Sequence, residues 1–365
     1  MMVKQFRGFE VDSVEQAVVS PSRSTIKPVP APPLKVGVVG LGRVGQRRAR
    51  LVEAHPDLTL QALCDTNPNQ AGAFPDVPYF ETYDRLLQED LDVVFVAAYN
   101  KVAPDIVIRS LNAGNHVFCE KPPGRSVADV QRMIDAERAN PGLKLQFGFN
   151  HRHHYAVSET KAMVESGRFG KVLWMRGVYG KAGSLDFESD WRSNTDLAGG
   201  GILLDQGIHM VDLFRYIAGE FTEVKSLITT SFWNIPLEDN AFAILHNAQN
   251  QVAMLHSSAT QWKHRFSLEI CLEGGYINVN GILSSTRSYG EESITFARRQ
   301  FEDEAFAFGK PREEMIFFDR DDSWALEVAA FVKAIREDTP IPSGNSDDAL
   351  QVMQLIEQIY REGKA

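Results

Sequence analysis

The chain has 365 residues, 44% hydrophobic and 24% charged, with a formal net charge of −10. That length predicts two domains, and the acidic balance argues against a nucleic-acid surface or a polybasic membrane patch, though not against a phosphorylated ligand held by local donors. Cys64, Cys119 and Cys271 are odd in number and set far apart in apolar runs, so neither a disulfide framework nor a zinc spacing follows. The N-terminus, MMVKQFRGFEVDSVEQ, holds no apolar core of signal length, and no run of about 18 apolar residues occurs, so a cytoplasmic protein with no membrane span is expected.

Residues 1–33 read as an N-terminal extension, its later half kept extended by Pro21, Pro28, Pro30, Pro32 and Pro33. Leu34 to Val39 then forms a short apolar strand, followed by Gly40-Leu41-Gly42-Arg43-Val44-Gly45 and a helical pattern to Ala54. A G-x-G-x-x-G turn between strand and helix admits a pyrophosphate, whose charge meets free N–H groups at the helix start. The next strand, Leu58 to Leu63, ends at Asp65, about 20 residues past the last glycine, where a carboxylate accepts from ribose hydroxyls. That carboxylate repels a 2′-phosphate and no arginine follows it, so NAD is favoured over NADP.

The alternation continues with a helix at 83–88, a strand at 93–98, a helix at 104–113, a strand at 116–119, a helix at 127–139 and a strand at 143–149. Strands alternating with helices predict a parallel sheet with ligands at the carboxyl ends of its strands. Two of those ends carry chemistry, Tyr99-Asn100 and Glu120-Lys121-Pro122. An ammonium at Lys121, beside the nicotinamide end of a cofactor, would hydrogen-bond a substrate oxygen and stabilise an alkoxide. In the run His151-Arg152-His153-His154, alternation on a strand would bring His151 and His153 to one face. No third ligand spacing accompanies them, and no metal is expected.

Gly199 to Asp212 reads GGGILLDQGIHMVD. On a helix Asp205, His209 and Asp212 share one stripe, a carboxylate and an imidazole suited to proton transfer near neutral pH. The glycines before them would bring the backbone close to a ligand. From Val172 the apolar period becomes two, with runs at 172–180, 222–233, 240–246, 251–260, 264–273 and 292–299, which predicts an antiparallel sheet. One face covers the Asp205 helix, and the other calls for a second subunit, so a homodimer or homotetramer is expected. Helical apolar stripes through Trp324 to Ile335 and Val352 to Ile359 close the chain.

The Glu120-Lys121-Pro122 turn after a glycine-motif unit, followed by GGG-x-L-x-D-x-G-x-H-x-x-D, resembles the glucose-fructose oxidoreductase / inositol dehydrogenase / MocA (Gfo/Idh/MocA) family over roughly residues 34 to 362. The resemblance implies a Rossmann NAD-binding domain, 34–153, and an α+β domain with a large open, mostly antiparallel sheet for substrate binding and oligomerisation, 154–345. It places a C-terminal helix, 346–365, back toward the first domain. It implies Lys121, Asp205 and His209 as the catalytic group. Cofactor contacts fall on Gly40 to Gly45, Asp65, Tyr99, Asn100, Glu120, Lys121 and the Trp191-Arg192 pair; substrate contacts fall on Lys121, Arg152, His153, Asp205 and His209. The family's Pro-Asn-x-x-His after the fourth strand appears here as Tyr99-Asn100-Lys101-Val102-Ala103, and its Arg-Phe as Arg152-His153. The activity so implied is hydride transfer between NAD and a ring secondary alcohol of a sugar, sugar derivative or cyclitol. The alternatives are glycoside cleavage through transient ring oxidation with retained NAD, and a non-catalytic NAD-sensing regulator.

Overall fold

Four of the first six strands are short apolar runs buried on both faces, the pattern of a parallel sheet covered by helices. The computed structural model describes residues 31–300 and 309–363, so the extension expected over 1–33 lies outside the described residues except for its last three. Strands β1 (Leu34–Val39), β2 (Leu58–Cys64), β3 (Tyr79–Phe80), β4 (Val93–Val96), β5 (His116–Cys119) and β6 (Leu145–Phe147) pair in parallel in the order β3-β2-β1-β4-β5-β6. The order reverses between β1 and β4, and a crevice opens there beyond the strand ends. Helices α1 (Arg43–Ala54), α2 (Tyr83–Leu86), α3 (Ala103–Asn112) and α4 (Val127–Ala139) connect the strands. Ser126 caps α4, its hydroxyl accepting from the Asp129 amide.

After α5 (Tyr155–Glu165) comes a second sheet of eight strands: β7 (Val172–Gly180), β8 (Glu223–Thr229), β9 (Asn240–His246), β10 (Val252–Ser258), β11 (Arg265–Leu272), β12 (Gly275–Asn280), β13 (Glu292–Arg298) and β14 (Glu314–Phe318). Their order is β14-β13-β12-β11-β7-β10-β9-β8. The period-two runs give β7 to β11 and β13, but the sheet is not wholly antiparallel, because β7 and β10 run parallel. Between β7 and β8 a helical turn, α6 (Thr195–Ala198), leads through the glycines into α7 (Ile208–Ala218). Helix α7 lies on the inner face of the sheet, where Gly177 of β7 leaves room for Met210 and Phe214. On the outer face one cross-strand row runs Met315–Thr295–Asn278–Glu269–Arg176–Met254–Ile244. With Leu227, Phe242 and Phe317 of the next row, it leaves large apolar side chains exposed.

Two helices close the structure. Helix α8 (Ser323–Arg336) covers the first sheet, with Phe331 edge-on to Phe95 and Phe118. Helix α9 (Ser346–Glu362) carries Val352, Ile356 and Ile359 into an apolar cluster that runs without a break from β4 and β5 to α7 and β11. A buried ion cluster pins this junction. The Arg152 guanidinium donates to both Asp212 oxygens, at 2.8 and 2.5 Å, and to Asp348 at 2.9 and 3.0 Å.

Asp212 is fully buried, so truncating it leaves Arg152 short of a partner in a region water does not reach. Asp212→Ala should therefore lose about 3–5 kcal/mol, the usual cost of breaking a buried pair, seen as a lower midpoint of chemical denaturation. An unchanged midpoint would remove this cluster from the account of the fold.

Candidate active site

The glycine loop sits at the crevice between β1 and β4. Gly40 holds φ at +89°, and a Cβ there would lie 2.5 Å from the Ala97 carbonyl oxygen at the end of β4. A Cβ on Gly45 would meet the Gly40 carbonyl oxygen at 1.7 Å, so loop and helix pack in direct backbone contact. Gly42 differs, because nothing lies within 4 Å of the side chain it lacks. It is also the cap of α1, and no side chain caps that helix. The first-turn amides of Arg43, Val44 and Gly45 thus begin an uncapped helix beside an open space, the setting a pyrophosphate needs. Below the loop, Asp65 Oδ2 accepts from the Leu41 amide at 2.6 Å and Oδ1 from the Asn67 amide at 2.8 Å. Each oxygen keeps a lone pair for a ribose hydroxyl. These residues fit a dinucleotide.

Beyond β5, Lys121 turns across to the segment before α7. Its Nζ donates to the Asp205 carbonyl oxygen at 2.6 Å and lies 3.6 Å from Asp205 Oδ1. Two more cations reach the same carboxylate: Lys181, just past β7, with Nζ 2.8 Å from Oδ2, and Arg192, with Nε 3.3 Å from Oδ1. Arg192 also stacks over the Trp191 ring at 4.6 Å, and Trp191 in turn packs on Tyr99 at 5.0 Å. Asn100 Nδ2 donates to the Ala198 carbonyl at 2.8 Å, so the β4–α3 loop is tied to α6. Burial lowers the pKa of Lys121, with Arg192 and Lys181 adding to the effect and Asp205 opposing it. Burial alone would raise Asp205, but Lys181, Lys121 and Arg192 outweigh it and hold the carboxyl well below its usual range.

One turn further, His209 is buried, and its Nδ1 has no hydrogen-bond partner among the described residues. An orphaned buried nitrogen of this kind is the mark of a group that waits for a ligand. Its ring stacks on His151 with centroids 3.7 Å apart and planes 19° from parallel. His151 is held in turn by the Tyr179 hydroxyl at 3.0 Å from Nε2 and by Asn150 Oδ1 at 3.2 Å from Nδ1. Burial, then the charges of Lys121 and His154, keeps His209 neutral well below the usual imidazole range. Burial and the neighbouring His209, His154 and Lys121 do the same to His151.

The structure gathers Lys121, Asp205, His209, Arg192, Trp191 and Tyr99 in one region, but the expected polar stripe does not form. Leu203–Gly207 is a π-type turn, wider than an α turn, and Asp205, His209 and Asp212 take three separate sets of partners. Asp205 faces cations rather than His209, and Asp212 faces Arg152. The triple glycine is placed by packing. A Cβ at Gly200 would meet the Tyr360 hydroxyl at 2.3 Å, and one at Gly201 the Glu238 carbonyl at 2.3 Å. Arg152 is not brought to this group, since Asp212 and Asp348 occupy its guanidinium. His153 is half-buried, its pKa pushed down to about 4 by burial and then by Arg152 and Arg48. The 150–153 segment is a helical turn, not a strand, so His151 neighbours His154 at 5.5 Å rather than His153. The Glu120 side chain accepts from Arg48 Nε at 2.6 Å. Sequence reasoning missed three residues: Lys181, His151 as the partner of His209, and Glu238, which accepts from the Gly201 and Leu203 amides at 3.0 Å each. Only Lys181 carried a signal, its place at a strand's carboxyl end.

Comparison with known proteins identifies the two domains. Residues 34–149 match the model described as "Oxidoreductase family, NAD-binding Rossmann fold", and residues 157–278 match the "GFO/IDH/MocA C-terminal domain". The chain is 30% identical over 220 residues to a levoglucosan dehydrogenase from Pseudarthrobacter phenanthrenivorans, a match covering 56% of each chain. It is 29% identical over 212 residues to an inositol 2-dehydrogenase from Salmonella typhimurium, covering 54% of this chain and 60% of that one. The chain thus spans less than two thirds of the length of these two relatives. A myo-inositol 2-dehydrogenase from Thermotoga maritima is matched more fully, 25% identical over 88% of this chain and 94% of its own. The solved structure of levoglucosan dehydrogenase in complex with NADH and levoglucosan superposes with a TM-score of 0.78 at 22% identity, covering 91% of this chain and 97% of that one, which shows a shared fold. With both domain models matched in order over more than half its length, the chain belongs to the Gfo/Idh/MocA oxidoreductase family, whose first domain binds NAD.

Proposed function

We propose that the protein is an NAD-dependent dehydrogenase or reductase acting on a ring secondary alcohol or ketone of a sugar, a sugar derivative or a cyclitol. The observation that carries this reading is a desolvated lysine at the carboxyl end of β5, within electrostatic reach of a neutral, unpartnered imidazole. The dehydrogenase names of the relatives, with levoglucosan and inositol as their substrates, support it. Bound NAD would supply the acceptor for the hydride that leaves the alcohol carbon. The His209 imidazole takes the hydroxyl proton, and Lys121 donates to the same oxygen as it becomes a carbonyl. Asp205 acts through position. By anchoring the lysine with its backbone oxygen and carboxylate, it aims the remaining N–H groups of Lys121 toward the substrate. The amides of Arg43, Val44 and Gly45 would hold the pyrophosphate, and Asp65 would accept from the ribose hydroxyls. Tyr99 and the Trp191-Arg192 pair wall the nicotinamide end. The apolar outer face of the second sheet is covered by a second copy, giving a homodimer or homotetramer.

A screen of monosaccharides, cyclitols and their derivatives with NAD, read by absorbance of the reduced cofactor, tests the whole reading. Gly42→Val should abolish NADH binding by fluorescence titration while the circular dichroism stays unchanged, because its side chain fills the open space beside α1. Unmodified protein should bind NADH more tightly than NADPH, and Asp65→Ala should narrow the gap.

His209→Ala should lose about 10²–10⁴-fold in turnover and Lys121→Ala about 10²–10³-fold, with NADH affinity little changed. The double variant should be little worse than either single one, since the two residues act on one oxygen. The pH profile follows from the shifts. His209 must be neutral, so the acid limb of kcat/KM should lie below 6.5; Lys121 must be charged, so activity should fall as pH rises through a value below 10.5. Near-normal turnover in both single variants removes the catalytic assignment. Light scattering at micromolar concentration should give a multiple of the 40.8 kDa chain mass, and a monomer would contradict the covered face.

A further inference from the structure

We propose that the substrate carries an anionic group, a carboxylate or a phosphate, and that Lys181 with Arg192 receives it beside the reacting carbon. This rests on the dehydrogenase reading above and narrows its substrate class. The argument begins with a charge balance. Among the described residues, the carboxylates within ion-pair distance of Lys121, Lys181 and Arg192 are Asp205 and Asp190 alone. Three cations therefore face two carboxylates. Asp190 lies 3.4 Å from Arg192 in a pair that is more than a third exposed on both sides, where water screens it. The two ammonium groups have less access to water. Lys121 and Lys181 are 20% and 16% exposed and share the single carboxylate of Asp205. Glu120 comes directly before Lys121 in the chain, yet its side chain is turned to Arg48 at 2.6 Å.

Two like charges held out of water on one counter-ion are costly, and a protein keeps such an excess where a ligand completes it. The donors point the same way. Lys121 has a use for its remaining N–H groups, on the reacting oxygen. Lys181 donates to Asp205 Oδ2 alone among the described residues, so two of its three N–H groups have no protein acceptor. Lys181 also lies too firmly to be a solvated surface lysine, with its ammonium 5.6 Å above the Phe187 ring. Its site is the carboxyl end of β7, and Arg192 shares the same counter-ion, so an anion seated between them lies one carboxylate away from Lys121. The hydroxyls of a neutral sugar would accept from these donors but leave the positive charge uncompensated.

The experiment compares sets of sugars that differ at one substituent, such as D-glucose, D-glucuronate and D-glucose 6-phosphate, with NAD and the full chain. At least one anionic member should exceed its neutral counterpart by about ten- to a hundredfold in kcat/KM, the worth of one charge-assisted hydrogen bond. The carboxylate and phosphate arms decide which anion is the source. The ratio should fall toward one in Lys181→Met and be partly kept in Lys181→Arg. In the unmodified protein, KM for the anionic sugar alone should rise as salt is raised from about 0.05 to 0.5 M, because the ion pair is screened. Calorimetric titration of the same sugars into NADH-bound protein reads the preference without turnover. A preference for the neutral sugar overturns the proposal, and so does an equal loss for neutral and anionic sugars in Lys181→Met, which would assign Lys181 to the reacting oxygen. If no sugar of either charge reduces NAD, the dehydrogenase reading fails instead, and the calorimetric comparison still decides the charge preference.

Discussion

The carboxylate of Asp205 is the interaction on which the site depends. Its partners come from three places: Lys121 from the end of β5, Lys181 from the end of β7, and Arg192 from the helical turn Trp191–Ser193 that follows β7. A single side chain thus ties the end of β5 to the end of β7. The pairs are partly buried, so they resist screening more than surface pairs do, yet none need be strong for the geometry to hold. What matters is that the lysine is held at both the backbone and the side chain of one residue. A free lysine has four rotatable bonds to order, whereas this one is already ordered before a substrate arrives.

The same residue explains why the helix before α7 is irregular. Within the wider turn over Leu203–Gly207 the Asp205 carbonyl accepts from Lys121. Glu238 fixes the start of this turn from below, bonding the Gly201 and Leu203 amides, and Tyr360 of α9 completes the carboxylate at 2.8 Å. Gly200 and Gly201 are required because this support sits within van der Waals range of the backbone, and Gly199 because its φ is +80° and Arg125 packs against it. A regular helix would have given Asp205 and His209 one common face; the widened turn gives them separate tasks.

Local patterns made the fold legible, and long-range pairing hid parts of the site. The strand His116–Cys119 and helix α4 follow from apolar runs and a serine cap, features readable within a dozen residues. The glycine loop with Asp65 is likewise local, and Lys121, Asp205 and His209 stood in recognisable motifs. Arg152 misled because its counter-ions, Asp212 and Asp348, lie 60 and 196 residues away, so nothing nearby in the chain showed that its guanidinium was already occupied. Strands β12 and β14 lie outside the runs read from the sequence: β12 follows β11 across a two-residue turn, and β14 is a short apolar run without alternation. Lys181 is one lysine at a strand end, and its meaning appears only when Asp205 is set beside it.

Glu120 shows how a neighbour in sequence is kept from interfering. A carboxylate next to Lys121 could pair with it and hold the ammonium away from a substrate. Instead Arg48 of α1 takes Glu120 at 2.6 Å and Glu327 of α8 at 2.6 Å, with its guanidinium stacked 4.3 Å from Phe118 and 4.4 Å from Trp324. Burial pushes the Glu327 carboxyl up to about 7, against the pull of Arg48. Helix α1, whose first turn faces the pyrophosphate space, is thereby bonded through Arg48 to the residue that precedes Lys121. The cofactor loop and the lysine loop are two ends of one rigid connection, and Lys121 is left with Asp205 as its nearest carboxylate.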